Sequence, residues 1–536
     1  MSPGVVVVGA GPAGLSAAAE LRRLGVAPVL VADREAEAGG VPRHSWHTGY
    51  GLRDLRRVMT GPAYARSLVS AALAAGAELR TGTTVTGWTT GPDGSHAVTM
   101  TSPSGPETVE AAAVLLATGC RERPRTARLV PGDRPTGVMT TGELQQRVYP
   151  GGERLAGRAL VVGAEHVSFS AALTLEHAGA DVVALVTGYE RQQSYAAFRF
   201  GAAVRWRVPV WTSSLVRRVV GRGRLEGVEV ADARTGATRF VPCEVVVFTG
   251  DWIPDHELAR LAGLTMDRGT RGPAVDTTLA TSVPGVFAAG NLVHAAETAD
   301  VAALSGRHAA RHVAAGLEGE HERGLGGGPG ARAPAPLPVL VEPPLRWISP
   351  NVIGSAAPPP LDRFVLRSAG FRRGARLEVR QDGRLLARSR QARLIPGRPV
   401  HLGAAWLARA DPAGGPIRVI TGLAAGRHGT GLCWPPLPSP RDRAQDHPGP
   451  EPENDQVDDH LPGDHQPGHG GDRGDVTEPD GGEHGDGEVQ RVGVIQRLAE
   501  AAGRVGGQHQ IGTGEQQQEQ RDGDGQGLQC PQPRVA

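Results

Sequence analysis

The stretch Gly4-Val5-Val6-Val7-Val8-Gly9-Ala10-Gly11-Pro12-Ala13-Gly14 decides the fold. Its four valines predict a buried parallel strand, and its spaced glycines predict a tight turn into a helix. In such a turn Gly9 permits the bend, Gly11 lets the backbone reach a pyrophosphate, and Gly14 lets the helix pack closely. Asp33 follows 19 residues after Gly14, where a carboxylate is expected on a ribose hydroxyl. The stretch therefore predicts a dinucleotide-binding βαβ unit.

The composition excludes several classes of chemistry. All 57 basic residues are arginine, so the chain has no Schiff-base, P-loop or general-base lysine. Its 4 cysteines show neither CxxC nor metal-ligand spacing, so we expect a reducing compartment, no redox disulfide and no metal; they are Cys120, Cys243, Cys433 and Cys530.

The charge distribution and the hydropathy of the N-terminus indicate which kinds of partner and which cellular location to expect. The net charge of +1 divides into −12 for residues 435–536 and +13 for the remainder. The arginines of the basic part are spread along the chain, so we expect no nucleic-acid partner. The N-terminus has no basic region and its apolar run stops at Gly9, so we expect no signal peptide, no membrane span and a cytoplasmic location.

The first motif has a counterpart later in the chain. Ala159–Gly163 opens a second βαβ unit, and strands over Val114–Gly119 and Val245–Gly250 both end in Thr-Gly. A short strand over Val286–Gly290 and a long helix over Thr298–Leu317 follow. The pattern indicates two related nucleotide-binding halves.

The remaining sequence predicts simpler elements. We expect a helix over Pro62–Gly76 and a strand over Glu78–Trp88. Short alternating strands from Leu345 to Ile420, with a hairpin at Gln381-Asp382-Gly383, predict a small all-β module. No aromatic residue follows Trp434, and the polar tail cannot bury enough apolar surface to offset its ordering entropy.

Four motifs in this order resemble FAD-dependent oxidoreductases of the pyridine nucleotide-disulfide oxidoreductase fold. They are GAGPAG, ATG at Ala117–Gly119, the second motif at Gly163, and TSVPGVFAAGN at Thr281–Asn291. The resemblance covers about residues 4–316. It implies an α/β chain with a doubly wound FAD domain, an inserted NAD(P)-type Rossmann-like domain, a small all-β C-terminal appendage and a disordered tail.

The expected divisions of the chain follow from this resemblance and from the composition. They are the FAD domain (1–155 and 273–318), the inserted domain (156–272), a linker (319–340), the β module (341–427) and the disordered low-complexity tail (428–536).

The resemblance also implies which residues hold FAD. They are Gly9, Gly11, Pro12, Ala13, Gly14, Asp33, Arg34, Val85, Ala117, Thr118, Gly119, Gly290, Asn291 and Thr298. The helix after Thr298 would point its positive N-terminus at the flavin. Asn291 stands where the family has an acid, and its amide can still bond a hydroxyl. The family's redox CxxxxC is absent, with Ser45 in that neighbourhood, which excludes a dithiol relay.

The second nucleotide motif departs from its pattern. Glu165 replaces the glycine that lets the backbone approach a phosphate, and Ser168 replaces the glycine that packs the helix. Gly163 is retained. We therefore expect FAD as the resident cofactor and leave NAD(P) binding at Gly163, Glu165 and Ser168 open.

Candidate catalytic side chains lie in the loop after Gly39-Gly40. His44 or His47 could take a proton while hydride leaves a carbon, and Arg43 could bind a substrate anion. Ordinary packing roles for these side chains remain an equal alternative. His294, Glu297 and Arg307 flank or lie within the predicted flavin-facing helix.

The function that the sequence favours is FAD-dependent hydride transfer from a small amine, amino acid or hydroxy-acid to a non-disulfide acceptor. Three segments, Gly39–Leu55, Phe248–Leu264 and Gly290–Ala310, resemble flavoprotein subunits of amino-acid, opine and sarcosine oxidising complexes. The alternatives are an NAD(P)H-dependent flavoprotein reductase and a flavin-binding subunit of a hetero-oligomeric dehydrogenase. We therefore expect a small-molecule substrate and either a second subunit or a separate electron acceptor.

Overall fold

The computed structural model describes residues 4–195, 208–295, 297–324 and 336–422. The predicted tail at 428–536 lies outside these residues. Within the described ranges, no helix is both long and apolar enough to cross a membrane. The α-helices described are α1 (Pro12–Arg23), α2 (Gly61–Ala74), α3 (Thr141–Val148), α4 (His166–Ala178), α5 (Glu257–Leu261) and α6 (Ala299–Gly324).

The described strands follow the chain in three groups. Up to residue 122 they are β1 (Gly4–Val8), β2 (Val29–Ala32), β3 (Thr48–Tyr50), β4 (Met59–Thr60), β5 (Glu78–Arg80), β6 (Thr84–Thr90), β7 (His96–Ser102), β8 (Gly105–Leu116) and β9 (Cys120–Glu122). From 138 to 254 they are β10 (Val138–Thr140), β11 (Arg158–Val162), β12 (Asp181–Val186), β13 (Val210–Trp211), β14 (Ser214–Val220), β15 (Gly227–Asp232), β16 (Thr238–Pro242), β17 (Val245–Phe248) and β18 (Trp252–Pro254). After 285 they are β19 (Val286–Ala288), β20 (Leu337–Val341), β21 (Leu345–Ser349), β22 (Val352–Ile353), β23 (Arg363–Ser368), β24 (Arg372–Gln381), β25 (Arg384–Leu394), β26 (Val400–Gly403) and β27 (Ile417–Gly422).

The first domain is built on a seven-stranded sheet in the order β5-β2-β1-β8-β7-β6, with β19 also paired to β8. The end of β8 lies between β1 and β19 in parallel, whereas its start forms an antiparallel meander with β7 and β6. All five residues of β1 are buried, as expected of a central parallel strand. Helices α1 and α6 cross so closely that a Cβ on Gly306 would lie 2.0 Å from the Ala13 carbonyl oxygen.

The inserted domain has its own parallel sheet in the order β10-β17-β11-β12-β13 and an antiparallel sheet β14-β15-β16. The chain enters and leaves this domain through one link, because β9 and β18 pair with each other antiparallel. In that link Trp252 lies opposite Glu122. The predicted α/β fold with an inserted nucleotide-binding-like domain is confirmed.

The C-terminal module contains two sheets, β22-β20-β27-β24-β25 and β21-β23-β26. Their apolar residues share one core, in which the rings of Phe364 and Trp406 lie 5.0 Å apart. The predicted hairpin forms between β24 and β25, with Gln381 opposite Arg384. The module contacts the first domain where the Val275 N–H donates to the Asn351 side chain (3.0 Å). It contacts the inserted domain where Phe371 packs edge-on against Tyr189.

One predicted strand is divided in the structure. The strand expected over Glu78–Trp88 is split into β5, which joins the parallel sheet, and β6, which joins the meander. Gly82 causes the break, because its φ of +60° turns the chain and its N–H donates to the Glu35 carbonyl (2.8 Å). Sequence alternation runs through this turn and does not reveal it.

The observed elements also differ from the expected divisions. Helix α6 ends at Gly324 and β20 begins at Leu337, so both enter the segment 319–340 expected to be a linker. Strand β10 pairs with β17 of the inserted sheet although it precedes residue 156. Helix α5, which precedes residue 273, packs in the core of the first domain. The composition did not signal these changes, because the chain crosses between domains in ordered strands.

Candidate cofactor and active site

The turn between β1 and α1 is shaped by three glycines. Gly9 has a φ of +105°, and a Cβ there would lie 2.6 Å from the Ala117 carbonyl oxygen. A Cβ on Gly14 would lie 1.9 Å from the Gly9 carbonyl oxygen. Helix α1 can therefore pack this closely on β1 only because residue 14 has no side chain. Around Gly11, by contrast, no heavy atom lies within 4 Å of the Cβ position.

The open space at Gly11 suits an anionic cofactor. Helix α1 begins at Pro12, and its N-cap Gly11 supplies no side-chain cap, so the first backbone N–H groups are free of a side-chain acceptor. Such a helix end favours a phosphate through its N–H groups and its dipole. The backbone at Gly40 closes the other side, since a Cβ there would lie 2.9 Å from the Gly11 Cα. These features fit the pyrophosphate of a dinucleotide.

Asp33 lies beside the turn at the end of β2. Its carboxylate accepts the Ala10 N–H (2.5 Å) and the Glu35 N–H (2.8 Å). A carboxylate has about four acceptor positions, so lone pairs remain for ribose hydroxyls. Arg34 points away to pair with Asp255 (3.2 Å). The ribose contact of Asp33 stays a prediction.

The segment after β8 supports the same cleft. The Ala117 N–H donates to the Val8 carbonyl (2.8 Å), and the Thr118 hydroxyl donates to the Asp255 carbonyl (2.8 Å). Gly119 has a φ of +76° and its carbonyl accepts the Asp255 N–H (2.9 Å). Val85 lies in β6 and packs against the core of the first domain. The structure thus ties Ala117–Gly119 to the edge of the turn at Gly9, while a contact with adenine at Val85 stays a prediction.

The late glycine motif is built differently from the expectation. Gly290 has a φ of +71°, and its N–H donates to the Ser305 hydroxyl (2.7 Å). The Asn291 amide accepts the Glu297 N–H (3.0 Å) and donates to the Glu297 carbonyl (3.1 Å). Asn291 therefore braces the turn before α6, and its side-chain amide is already engaged at both ends.

The N-terminus of α6 carries an acid that the sequence analysis did not single out. Asp300 is buried, accepts a hydrogen bond from the Thr298 hydroxyl, and forms an ion pair with Arg53 (3.1 Å). Its carboxylate also accepts the Val301 N–H (3.0 Å). The negative charge of Asp300 therefore partly offsets the positive dipole at the N-terminus of α6, where the flavin is expected.

The catalytic candidates Arg43, His44 and His47 contact different partners, and their catalytic roles stay predictions. The Arg43 side chain is partly buried, and its guanidinium pairs with the exposed carboxylates of Glu37 (3.3 Å) and Glu35 (3.6 Å). Arg43 is therefore already paired with two carboxylates, and its binding of a substrate anion stays a prediction.

The two histidines of this loop have different surroundings. His44 is buried beside α3, with its Nε2 3.5 Å from the Gln146 amide nitrogen, and burial lowers its pKa to about 4. His47 stacks on Tyr50, and its Nδ1 lies 2.9 Å from the Thr48 carbonyl oxygen, so this nitrogen carries the proton. Burial also lowers the pKa of His47, which leaves its Nε2 as a neutral acceptor near neutral pH.

The second turn, between β11 and α4, is filled by its own side chain. The Glu165 carboxylate accepts the Ala164 N–H (3.0 Å) and the Thr249 hydroxyl (2.6 Å). A Cβ on Gly163 would lie 1.9 Å from Thr249 Oγ1 and 2.6 Å from Ser168 Oγ. The carboxylate therefore occupies the space over the glycine turn and places a negative charge where a phosphate would lie.

The C-terminal module covers this second turn. The N–H groups of Gln193 and Ser194 donate to the Ala164 carbonyl (3.1 and 3.2 Å). Arg398 of the module donates to the carbonyls of both Gln193 and Ser194 and stacks 4.2 Å from the centre of the Tyr195 ring. A segment from a third domain thus holds the loop against the β11–α4 turn.

Glu122 in β9 is a buried carboxyl group that sequence reasoning missed. It accepts the Gly142 N–H (2.9 Å) and the Gly250 N–H (3.2 Å), and so joins the interdomain link to the inserted domain. Burial, with a smaller contribution from the negative charge of Glu165, raises its pKa to about 7. No local pattern marks Glu122, because its burial arises from the pairing of β9 with β18.

A second group, which the sequence marked only in part, lines a cavity, open at its mouth, between the 290–305 segment and the C-terminal module. His294 and Glu297 come from the first domain, and Arg363 and His401 come from β23 and β26. Glu297 forms a buried ion pair with Arg367 (2.7 Å). The sequence marked His294 and Glu297, but the module residues carry no motif.

The described cysteines do not form a redox pair. Cys120 and Cys243 are not joined in a disulfide, and burial raises the pKa of Cys243 to about 12. A thiol with such a pKa is a poor nucleophile at neutral pH. This agrees with the missing CxxxxC of the sequence.

Comparison with known families identifies the chain. The profile of the pyridine nucleotide-disulphide oxidoreductase family matches residues 3–306. The chain belongs to this family. It is an FAD-dependent oxidoreductase, and the open turn at Gly11 is consistent with FAD as its cofactor.

Individual relatives are more distant. The chain is 28% identical over 345 residues to an opine oxidase subunit of Agrobacterium tumefaciens, covering 59% of this chain and 66% of that protein, less than two thirds. It is 28% identical over 307 residues to ferredoxin–NADP reductase of Ignicoccus hospitalis, covering 56% of this chain and 93% of that protein. Thioredoxin reductase of Lactococcus lactis has a similar fold, with a TM-score of 0.51, 18% identity and coverage of 59% and 100%.

Proposed function

We propose that this chain uses FAD to oxidise a small amine, amino acid or hydroxy-acid and delivers the electrons to an acceptor other than a disulfide or NAD(P). The observation that carries the proposal is the Glu165 carboxylate over the second glycine turn. A pyrophosphate there would have to displace it and overcome its charge, while Arg398 holds the covering loop in place.

In this proposal FAD, when bound, supplies the acceptor for a hydride from the substrate carbon. The chain contributes binding, orientation and proton handling. His47 is the better proton acceptor of the two candidates, because its Nδ1 proton faces the Thr48 carbonyl and leaves Nε2 unprotonated. His44 is buried against α3 and serves the contact between domains.

Two alternatives draw on the relatives. Likeness to a ferredoxin–NADP reductase favours an NAD(P)H-dependent flavoprotein reductase. Likeness to an opine oxidase subunit favours a flavin-binding chain that needs a second protein for turnover. Both make different predictions for the reduction of the bound flavin.

The deciding experiment is anaerobic stopped-flow absorbance of the FAD-loaded full chain. We expect amino acids or hydroxy-acids from a panel to bleach the flavin, and NADH and NADPH to leave it oxidised. Rapid bleaching by either nicotinamide nucleotide would overturn the proposal in favour of the reductase. Bleaching by a panel substrate only after a stoichiometric second protein is added would favour the hetero-oligomeric dehydrogenase.

A further inference from the structure

The cavity between the first domain and the module contains a cation, Arg363, that has no counterion among the described residues. Arg363 lines it from β23, and its Nε is buried without a hydrogen-bond partner. Within the described residues no acidic side chain pairs with this guanidinium. Burial lowers the pKa of Arg363, and the negative charge of Glu297 opposes this only in part. An unpaired cation in such a place costs stability unless an anion accompanies it.

Glu297, the acid that could serve as a counterion of Arg363, is already paired with another arginine. Glu297 pairs with Arg367 at 2.7 Å, and both side chains are less than 10% exposed. The Arg367 Cζ in turn lies 5.2 Å from the centre of the Trp347 ring. The pair is neutral as a unit, so Arg363 leaves the cavity with one uncompensated positive charge.

A neutral polar group completes the cavity. His294 lines it, its Nδ1 is buried without a partner among the described residues, and burial lowers its pKa to about 4. The imidazole is therefore uncharged at neutral pH and can donate or accept one hydrogen bond. Leu279, Val293 and Val365 supply an apolar wall.

We propose that this cavity binds a small organic carboxylate, with Arg363 pairing to the carboxylate and His294 bonding a neighbouring polar atom. The guanidinium fork matches the geometry of a carboxylate. Gly290 lines both this cavity and the predicted FAD site, so the ligand lies next to the segment expected at the cofactor. This rests on the proposed function and deepens it, because it selects amino acids and hydroxy-acids over simple amines as substrates.

The test compares Arg363→Met with the matched control Arg376→Met in FAD-loaded full chain. Arg376 lies in β24 of the same module, is exposed and does not line the cavity. Titration with acetate, followed by calorimetry and by the thermal midpoint, should show binding to the parent and the control. Arg363→Met should bind acetate about 10- to 100-fold more weakly. It should also keep its midpoint without acetate, because the change removes a partly buried guanidinium that pairs with no acidic side chain among the described residues.

Three results separate the outcomes. Equal acetate affinity in Arg363→Met and the parent, or equal binding of ethylamine and acetate, would overturn the carboxylate site. Arg363-dependent acetate binding without flavin reduction by any carboxylate substrate supports the site while the proposed function fails. Arg363-dependent binding together with a raised KM for an amino acid or hydroxy-acid, at little changed kcat, supports both.

Discussion

The turns at Gly9–Gly14 and Gly163–Ser168 share one topology, a buried parallel strand followed by a helix, yet only the first leaves room for a ligand. At Gly11 the Cβ position is empty, whereas the equivalent space in the second turn holds the Glu165 carboxylate. Thr249 and Gly250, at the end of β17, bind or enclose that carboxylate. The comparison teaches that the same strand–turn–helix framework forms whether the space over its glycine turn is empty or holds a side chain.

The first turn should show two separable effects of adding a methyl group. Gly14→Ala puts a Cβ 1.9 Å from the Gly9 carbonyl oxygen, so helix α1 must move away from β1. We expect a loss of about 3 kcal/mol in stability and little bound flavin after purification. Thermal denaturation and the ratio of flavin to protein measure both.

Gly11→Ala is the matched variant for this test. Its Cβ meets nothing within 4 Å, so the apoprotein should lose about 1 kcal/mol or less. FAD should nevertheless bind at least about 10-fold more weakly, because the methyl group intrudes where the backbone meets the pyrophosphate. Equal FAD affinity of Gly11→Ala and the parent would remove the first turn as the cofactor site.

Opening the second turn should convert it toward the first. Glu165→Gly removes the carboxylate from the turn. Arg398→Ala, combined with it, removes the hydrogen bonds that hold the Gln193–Ser194 loop over that turn. We expect binding of NADPH, measured by calorimetry, to become about 10- to 100-fold tighter than in the parent. Glu190→Gln, which removes an equal charge from an exposed position, is the control. Tight NADPH binding in the unaltered chain would contradict the blocked-turn interpretation.

Glu122, which lies close to Glu165 of the second turn, should make the stability of the protein depend on pH. Its pKa in the folded chain is about 7, above the 4.5 of the free side chain, so the folded state binds more protons between these values. Stability should therefore fall as pH rises from about 4.5 to about 7, by about 3 kcal/mol for this group. Glu165 contributes to the raised pKa, so Glu165→Gly should shift the fall to lower pH.

Glu122→Gln tests the assignment of that pH dependence. The amide leaves one of the N–H groups of Gly142 and Gly250 facing another donor, so absolute stability should drop at low pH. The loss of stability between pH of about 4.5 and about 7 should disappear from its thermal midpoints. Persistence of the same slope in Glu122→Gln would assign the titration to another group.

Features set by residues close together in sequence could be predicted, as the two glycine motifs show. Glycine spacing in GAGPAG is local and functional, so the first βαβ unit and its open turn could be anticipated from Gly9, Gly11 and Gly14. The degraded second motif was also local, and Glu165 alone indicated the altered site. Its filling by hydrogen bonds from Ala164 and Thr249 needed the pairing of β11 with β17.

The cavity beside α6 could not be predicted because its parts are distant in sequence. Glu297 meets Arg367 across 70 residues, and Arg363 enters only through the docking of a module without a motif. Likewise, the sequence grouped Arg43, His44 and His47 in one loop, but packing sends each to a different partner. Which of these side chains faces a substrate stays a prediction.

The smallest effect should come from Arg43, the arginine that the sequence marked. Arg43→Gln removes ion pairs with the exposed Glu35 and Glu37, so it should cost about 0.5 kcal/mol and change KM for a carboxylate substrate less than about twofold. Arg363→Met should raise the same KM about 10- to 100-fold, since no other cation of the cavity is unpaired among the described residues. Steady-state kinetics of both variants with one substrate decides between the two arginines. If Arg43→Gln gave the larger rise in KM, the loop after Gly40 would be the substrate site, and the surface pairing of Arg43 would have to break when substrate binds.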